Sequence, residues 1–185
     1  MVAHSAPAEL GSFAPDFELP GVCGQVWTRD AAVGPNGLLV MFICNHCPYV
    51  QAVIDRIVRD ARDLGLLGIG SVAISANDVA AYPEDSFENM AAMARRHGFP
   101  FPYLHDESQQ VARAYGAVCT PDFFGFNARL ELRYRGRLDA SRRDPAPPDA
   151  RRELVEAMKQ VAASGAGPAE QAPSIGCSIK WRTAD

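Results

Sequence analysis

One junction limits the possible folds more than any other feature. The sequence Cys44-Asn45-His46-Cys47-Pro48 joins a short apolar run over 38–43 to a segment with helical periodicity. A continuous apolar run of this length, with Gly37 before it and a polar turn after, reads as a strand covered on both faces. Beyond Pro48, the residues Val50, Val53, Ile54, Ile57, Val58, Ala61 and Leu64 fall on one side of a helix. Pro48 sits just inside the helix start, where its missing N–H costs little, and Gly65 suits the end. A buried strand that hands over directly to an amphipathic helix implies an α/β sheet.

The rest of the chain fits that frame. Residues 12–24 form a Pro- and Gly-rich extended lead-in, and 68–75 reads as a second strand. Asp85 and Glu88 have capping-box spacing before a helix carrying Phe87, Met90, Ala91 and Ala94. A short strand over 101–104 follows, then a second box at Asp106 and Gln109 opening a helix that ends near Gly116. Strands over 122–126 and 130–135 flank an Asn127-Ala128-Arg129 turn and predict a hairpin. The last helix starts near Asp149 and buries Leu154, Val155, Met158 and Val161. The order β-α-β-α-β-α-β-β-α predicts a central mixed sheet with helices on both faces. We expect a single domain over 1–185, with residues 1–11 flexible and the tail from 164 to 185 irregular.

Composition narrows the function. Net charge is −4 and no block of Lys and Arg exists, which argues against a nucleic-acid partner. No apolar stretch approaches the roughly 18 residues of a membrane span, and the first residues lack the pattern of a secretory signal. The expected compartment is therefore the cytoplasm. Five cysteines (Cys23, Cys44, Cys47, Cys119 and Cys177) are odd in number and dispersed, unlike a disulfide scaffold. In a reducing compartment a close pair reads as catalytic or metal-binding.

Two residues between Cys44 and Cys47 let the thiols meet at the first turn of a helix, so that a disulfide can close and reopen. Unpaired N–H groups and the helix dipole there favour thiolate, the nucleophile of disulfide exchange. His46 is expected to reinforce this when protonated, making the disulfide more oxidising. Structural zinc wants four ligands, and no second Cys-X-X-Cys stands in the chain; no metal and no cofactor is expected. Cys119-Thr120-Pro121 precedes a strand and, taken alone, means a turn.

These residues together resemble a known family. Ala14-Pro15-Asp16-Phe17, the Cys-X-X-Cys junction and the stretch from Tyr115-Gly116 to Thr120-Pro121 are similar to the thioredoxin-fold superfamily. The closer resemblance is to its peroxiredoxin-like subgroup (alkyl hydroperoxide reductase/thiol-specific antioxidant). That subgroup carries the sequences found here at 44–50, 120–124 and 174–181. The resemblance implies a thioredoxin-like α/β fold. It implies a cis-proline at Pro121 facing the pair, with Thr120 and Pro121 offering backbone groups to a substrate by short β-like pairing. It leaves the nucleophile open: thioredoxins imply that Cys44 attacks, peroxiredoxins that Cys47 does. The Thr that peroxiredoxins place three residues before the reactive cysteine is replaced by Cys44.

The expected function is thiol–disulfide oxidoreductase, with peroxiredoxin-like thiol peroxidase (antioxidant) activity as the alternative and metal binding or redox sensing by the same thiols as a third. The substrate would be a protein or small-molecule disulfide or a peroxide. The reductant would be a thioredoxin or glutathione system, and the protein a monomer or homodimer. Cys119 and Cys177 are possible accessory thiols. Cys119 suits a small buried hydrophobe, whereas Cys177 becomes a resolving thiol if the tail folds back over the pair.

Overall fold

A computed structural model describes residues 1–5, 9–147 and 149–183. In chain order the elements are β1 (Val2–His4), β2 (Glu18–Pro20), β3 (Val26–Thr28), α1 (Arg29–Ala32), β4 (Gly37–Phe42), α2 (Pro48–Leu66) and β5 (Ile69–Ser75). A single 3₁₀ turn, Pro83–Asp85, precedes α3 (Phe87–His97), β6 (Tyr103–His105), α4 (Gln110–Ala114) and β7 (Cys119–Thr120). The chain continues with β8 (Asp122–Phe126), β9 (Leu132–Gly136), α5 (Glu153–Ser164) and β10 (Ile175–Ser178).

The central sheet has five strands in the order β6-β5-β4-β8-β9. β4, β5 and β6 run parallel, while β8 and β9 are antiparallel, so the sheet is mixed. Every residue of β4 is buried, because both faces are covered. Leu39, Met41 and Ile43 face a layer formed by α2, α3 and α5, with Ile57, Met90 and Met158 in its core. Leu38, Val40 and Phe42 face the other side, against Phe17, Ala32 of α1 and Ala112 of α4. The expected arrangement of a mixed sheet with helices on both faces is the observed one.

Local differences have identifiable causes. The extended lead-in folds into the β2–β3 hairpin. The cap of α3 is Ser86, whose hydroxyl accepts from Asn89 N–H; Asp85, expected in that role, is turned inward. α5 starts at Glu153 rather than near Asp149, and Arg152 just ahead of it ties α2 through Asp60 and Asp63. β9 starts at Leu132, since Leu130 has positive φ within a turn that Asn127 Oδ1 closes on Arg129 N–H and Glu131 N–H.

The largest departures lie at the two ends of the chain. Val2–His4, in the segment expected to be flexible, pairs with β10, a strand in the tail expected to be irregular, and β10 pairs with β7. Neither short segment has the length or alternation that marks a strand locally; each is a strand because the other, and β7, supply its hydrogen-bond partners. Residues 6–8 of that expected flexible segment, and 184–185 of the tail, lie outside the described residues.

Candidate active site

β4 ends at Phe42, and the chain crosses in five residues to Pro48, the first residue of α2. Cys47 is the N-cap residue, and its carbonyl accepts from Gln51 N–H at 2.9 Å. The two cysteines lie at the end of the buried strand, and both are almost fully enclosed, Cys44 at 1% and Cys47 at 0% exposure. Each thiol is among the groups that set the other's ionisation.

Thr120 faces them from β7. Its hydroxyl is 3.3 Å from Cys44 Sγ, and its carbonyl oxygen lies 3.2 Å from Cys47 Sγ. The Thr120–Pro121 bond is cis. Thr120 thus borders both sulfurs. The expected partner of Thr120 and Pro121, an incoming substrate strand, meets a competitor: the edge of β7 is already paired by β10.

On the other side, Asp85 organises the loop. Its Oδ1 accepts from the backbone N–H groups of Asn45 (2.7 Å) and His46 (3.1 Å). Its Oδ2 accepts from Asn77 Nδ2 at 2.7 Å and meets His46 Nδ1 at 2.6 Å. His46 stacks on Tyr82, ring centroids 5.4 Å apart, and Tyr103 donates its hydroxyl to Asn45 Oδ1. His46 therefore addresses a buried carboxylate.

These surroundings separate the two thiols. Cys47 is lowered to about 5, first by the hydrogen bond from Cys44, then by Thr120 and by the backbone N–H groups of Val50 and Cys177, against the opposing cost of burial. Cys44 is pushed far up by the same shared hydrogen bond, by burial and by the negative charge of Asp85. These neighbours favour the charge on Cys47 over Cys44, at the positive end of α2.

Sequence reasoning missed Asp85 as a site residue. Its spacing to Glu88 suits a helix cap equally well, and only the fold brings it against the loop 40 residues away. Asn77, which links Asp85 to the backbone N–H of Lys180 in the tail, was missed for the same reason. Of the possible accessory thiols, Cys119 is buried with its sulfur 3.8 Å from the Pro121 carbonyl, and it makes no hydrogen bond to the pair among the described residues. Cys177 is brought to the pair by β10.

Cys44 Sγ, a ring nitrogen of His46 and a carboxylate oxygen of Asp85 lie within 4.8 Å of one another, a spacing that one metal ion could bridge. The Asp85 oxygens, however, are engaged by two backbone N–H groups, Asn77 and His46, and a metal would have to break part of that set. No helix among the described residues is long and apolar enough to cross a membrane.

A fold and a thiol pair arranged in this way define a thiol-based redox enzyme of the thioredoxin-like class. Comparison narrows the class: the AhpC/TSA family model matches residues 10–135, and the chain belongs to that family. Two crystal structures resemble it over nearly their whole length. An uncharacterized conserved protein from Geobacillus kaustophilus is 43% identical with a TM-score of 0.94, covering 100% of this chain and 98% of that one. A hypothetical protein from Sinorhizobium meliloti 1021 is 38% identical with a TM-score of 0.89, covering 98% and 99%. A thiol:disulfide interchange protein of the thioredoxin family from Chlorobium tepidum TLS is 17% identical, with a TM-score of 0.63 over 85% of this chain and 99% of that one, and shares the fold. No curated protein sequence matches.

Proposed function

We propose that the protein is a thiol–disulfide oxidoreductase in which Cys44 and Cys47 cycle between dithiol and disulfide, with Cys47 as the charged sulfur. The observation that carries this reading is the placing of both thiols in the junction that ends at the start of α2, with Thr120 in contact with both sulfurs. In the reducing direction, Cys47 thiolate attacks one sulfur of a substrate disulfide. A mixed disulfide forms and the other substrate sulfur leaves as thiolate. Cys44 then gives up its proton and attacks Cys47 Sγ, closing the Cys44–Cys47 disulfide and releasing the second substrate thiol. Two electrons pass from the pair to the substrate.

Membership of the AhpC/TSA family supports a second reading, thiol peroxidase. Cys47 thiolate would attack a peroxide oxygen and become sulfenic acid with release of the alcohol or water. Cys44 would then condense with it, giving the same disulfide and water. Either cycle needs a thiol reductant, such as a thioredoxin or glutathione system, in a reducing compartment such as the cytoplasm, and runs in a monomer or a homodimer.

Serine variants decide between them. With a small disulfide substrate, Cys44→Ser in a Cys177→Ser background should accumulate a mixed disulfide on Cys47, whereas Cys47→Ser should accumulate none on Cys44. Trapping on Cys44 instead would overturn the assignment of the nucleophile. Peroxide consumption as fast as disulfide turnover, lost in Cys47→Ser, would favour the peroxidase.

A further inference from the structure

Burial leaves the pair with a problem of access. An external thiol must come within bonding distance of a sulfur, yet Cys44 and Cys47 are enclosed at 1% and 0% exposure. What closes the site on the Thr120 side is β10, and β10 carries a cysteine. Its register on β7 sets Cys177 directly opposite Thr120. Opposed residues of an antiparallel pair project to the same face, and Thr120 projects its hydroxyl to within 3.3 Å of Cys44 Sγ. Cys177 accordingly packs against the cluster that contains Cys44 and Cys47, and Cys47 is among the groups that act on its thiol. Unlike that pair, it is only half-buried.

The seat of this strand is tight. A Cβ on Gly176 would fall 1.9 Å from the Thr120 carbonyl oxygen, so only glycine lets β10 lie against the loop at this height. β10 is held at both ends as well. Ser174 donates its hydroxyl to Gly136 O at 2.7 Å, and Lys180 N–H donates to Asn77 Oδ1 at 2.8 Å. The strand occupies the edge where a substrate strand would pair, with its own sulfur presented to Cys47.

We propose that Cys177 is the outlet thiol of the buried pair, a tethered internal substrate through which an external dithiol reduces the Cys44–Cys47 disulfide. The proposal rests on the reading of that pair as a cycling dithiol. With the pair oxidised, Cys177 loses its proton and attacks Cys47 Sγ. The Cys47–Cys177 bond forms, the Cys44–Cys47 bond breaks, and Cys44 leaves as thiolate and takes up a proton. An external dithiol attacks the half-exposed Cys177 sulfur. Cys47 leaves as thiolate, which its low pKa favours. The second thiol of the reductant then attacks the mixed disulfide, frees Cys177 to recover its proton and leaves as part of an intramolecular disulfide. The dithiol has given two electrons and two protons, one proton to Cys44 and one to solvent. In the fully reduced protein Cys177 is pushed up to about 11, first by burial and then by its hydrogen bond to Cys47 and the charge of that sulfur. It therefore rests as a thiol until Cys47 is oxidised.

The test uses the full-length protein, oxidised with a stoichiometric disulfide oxidant, acid-quenched and mapped by mass spectrometry. Wild type should show Cys44–Cys47, and Cys44→Ser should show Cys47–Cys177. Re-reduction of the oxidised Cys177→Ser variant by dithiothreitol should be at least roughly tenfold slower than wild type, with Cys23→Ser unchanged as the control. If Cys177→Ser is re-reduced at the wild-type rate, the outlet role is overturned, and that measurement decides even if Cys44→Ser fails to fold. If Cys44→Ser folds and yields no Cys47–Cys177 linkage, the outlet role is likewise overturned. Failure of wild type to form Cys44–Cys47 would instead overturn the pair reading itself, and this proposal with it.

Discussion

Cys44 and Cys47 are separated by two residues and belong to one loop, yet the regions around them oppose each other. Around Cys44 the protein builds a polar clamp: a fully buried carboxylate, Asp85, held by two backbone N–H groups, Asn77 and His46. Around Cys47 it supplies donors: the N–H groups at the start of α2, the Thr120 hydroxyl and the backbone of β10. A negative charge beside one sulfur and donors beside the other push their ionisation in opposite directions without any large difference in burial. Asymmetry in a dithiol thus comes from which neighbours each sulfur has, and those neighbours sit on separate elements.

Four measurements can break or sharpen that contrast. The largest effect is expected for Cys47→Ser, which should lower disulfide turnover by several orders of magnitude, as loss of an enzyme nucleophile does. In the reduced wild type, ultraviolet thiolate absorbance should rise with pH around about 5, because the ionised form is the one lacking the proton. In Cys47→Ser that acid-side step should vanish. A step that survives there, or moves to Cys44, would reverse the contrast.

Next comes Gly176→Ala, whose methyl would meet the Thr120 carbonyl oxygen at 1.9 Å. Overpacking of this kind costs on the order of 1–3 kcal/mol. The strain falls on the β7–β10 contact, so alkylation of Cys47 should accelerate while the central sheet persists by circular dichroism. An unchanged alkylation rate would mean that β10 is not what shields the sulfur.

Asp85→Asn addresses the opposite side. Hydrogen bonds to a charged acceptor are worth about 1.5–3 kcal/mol, so chemical denaturation should show a loss of about 2 kcal/mol at neutral pH. Removing the charge also lets Cys44 ionise at lower pH than in wild type, since Asp85 is among the causes that hold it up. If Cys44 does not shift, the clamp is structural only.

The smallest effect is expected for Thr120→Val, which keeps the shape and removes the hydroxyl. Loss of one hydrogen bond to a charged sulfur is worth about 1.5 kcal/mol, so the pH at which Cys47 ionises should rise by about one. A fall would mean that the hydroxyl favours the thiol instead of the thiolate.

Much of this protein is legible from local pattern. The run ending at Phe42, the periodic face from Val50 to Leu64 and the turn at Asn127 each declare an element through neighbours in sequence. The site was legible to the extent that it is local: Cys44, His46 and Cys47 lie on one junction. Asp85 and Asn77 were not legible, because a carboxylate before a helix signals a cap, and nothing in their own neighbourhoods points to a loop across the fold. The strands β1 and β10 escaped for a related reason. Three or four residues have no preference strong enough to declare a strand, and each becomes one only beside its partner.

The sequence by itself determined the alternation of buried strands and amphipathic helices, and with it the placing of two thiols where a strand meets a helix. Those features depend on hydrophobic period and chain punctuation, which act over a few residues. Only the tertiary structure decided which groups act on each thiol, which strand pairs beside the site and which third cysteine packs against it. Electrostatic and hydrogen-bonding forces act through space, and the groups that exert them here, Asp85, Thr120 and Cys177, are brought together by folding across 93 positions of the chain, from 85 to 177.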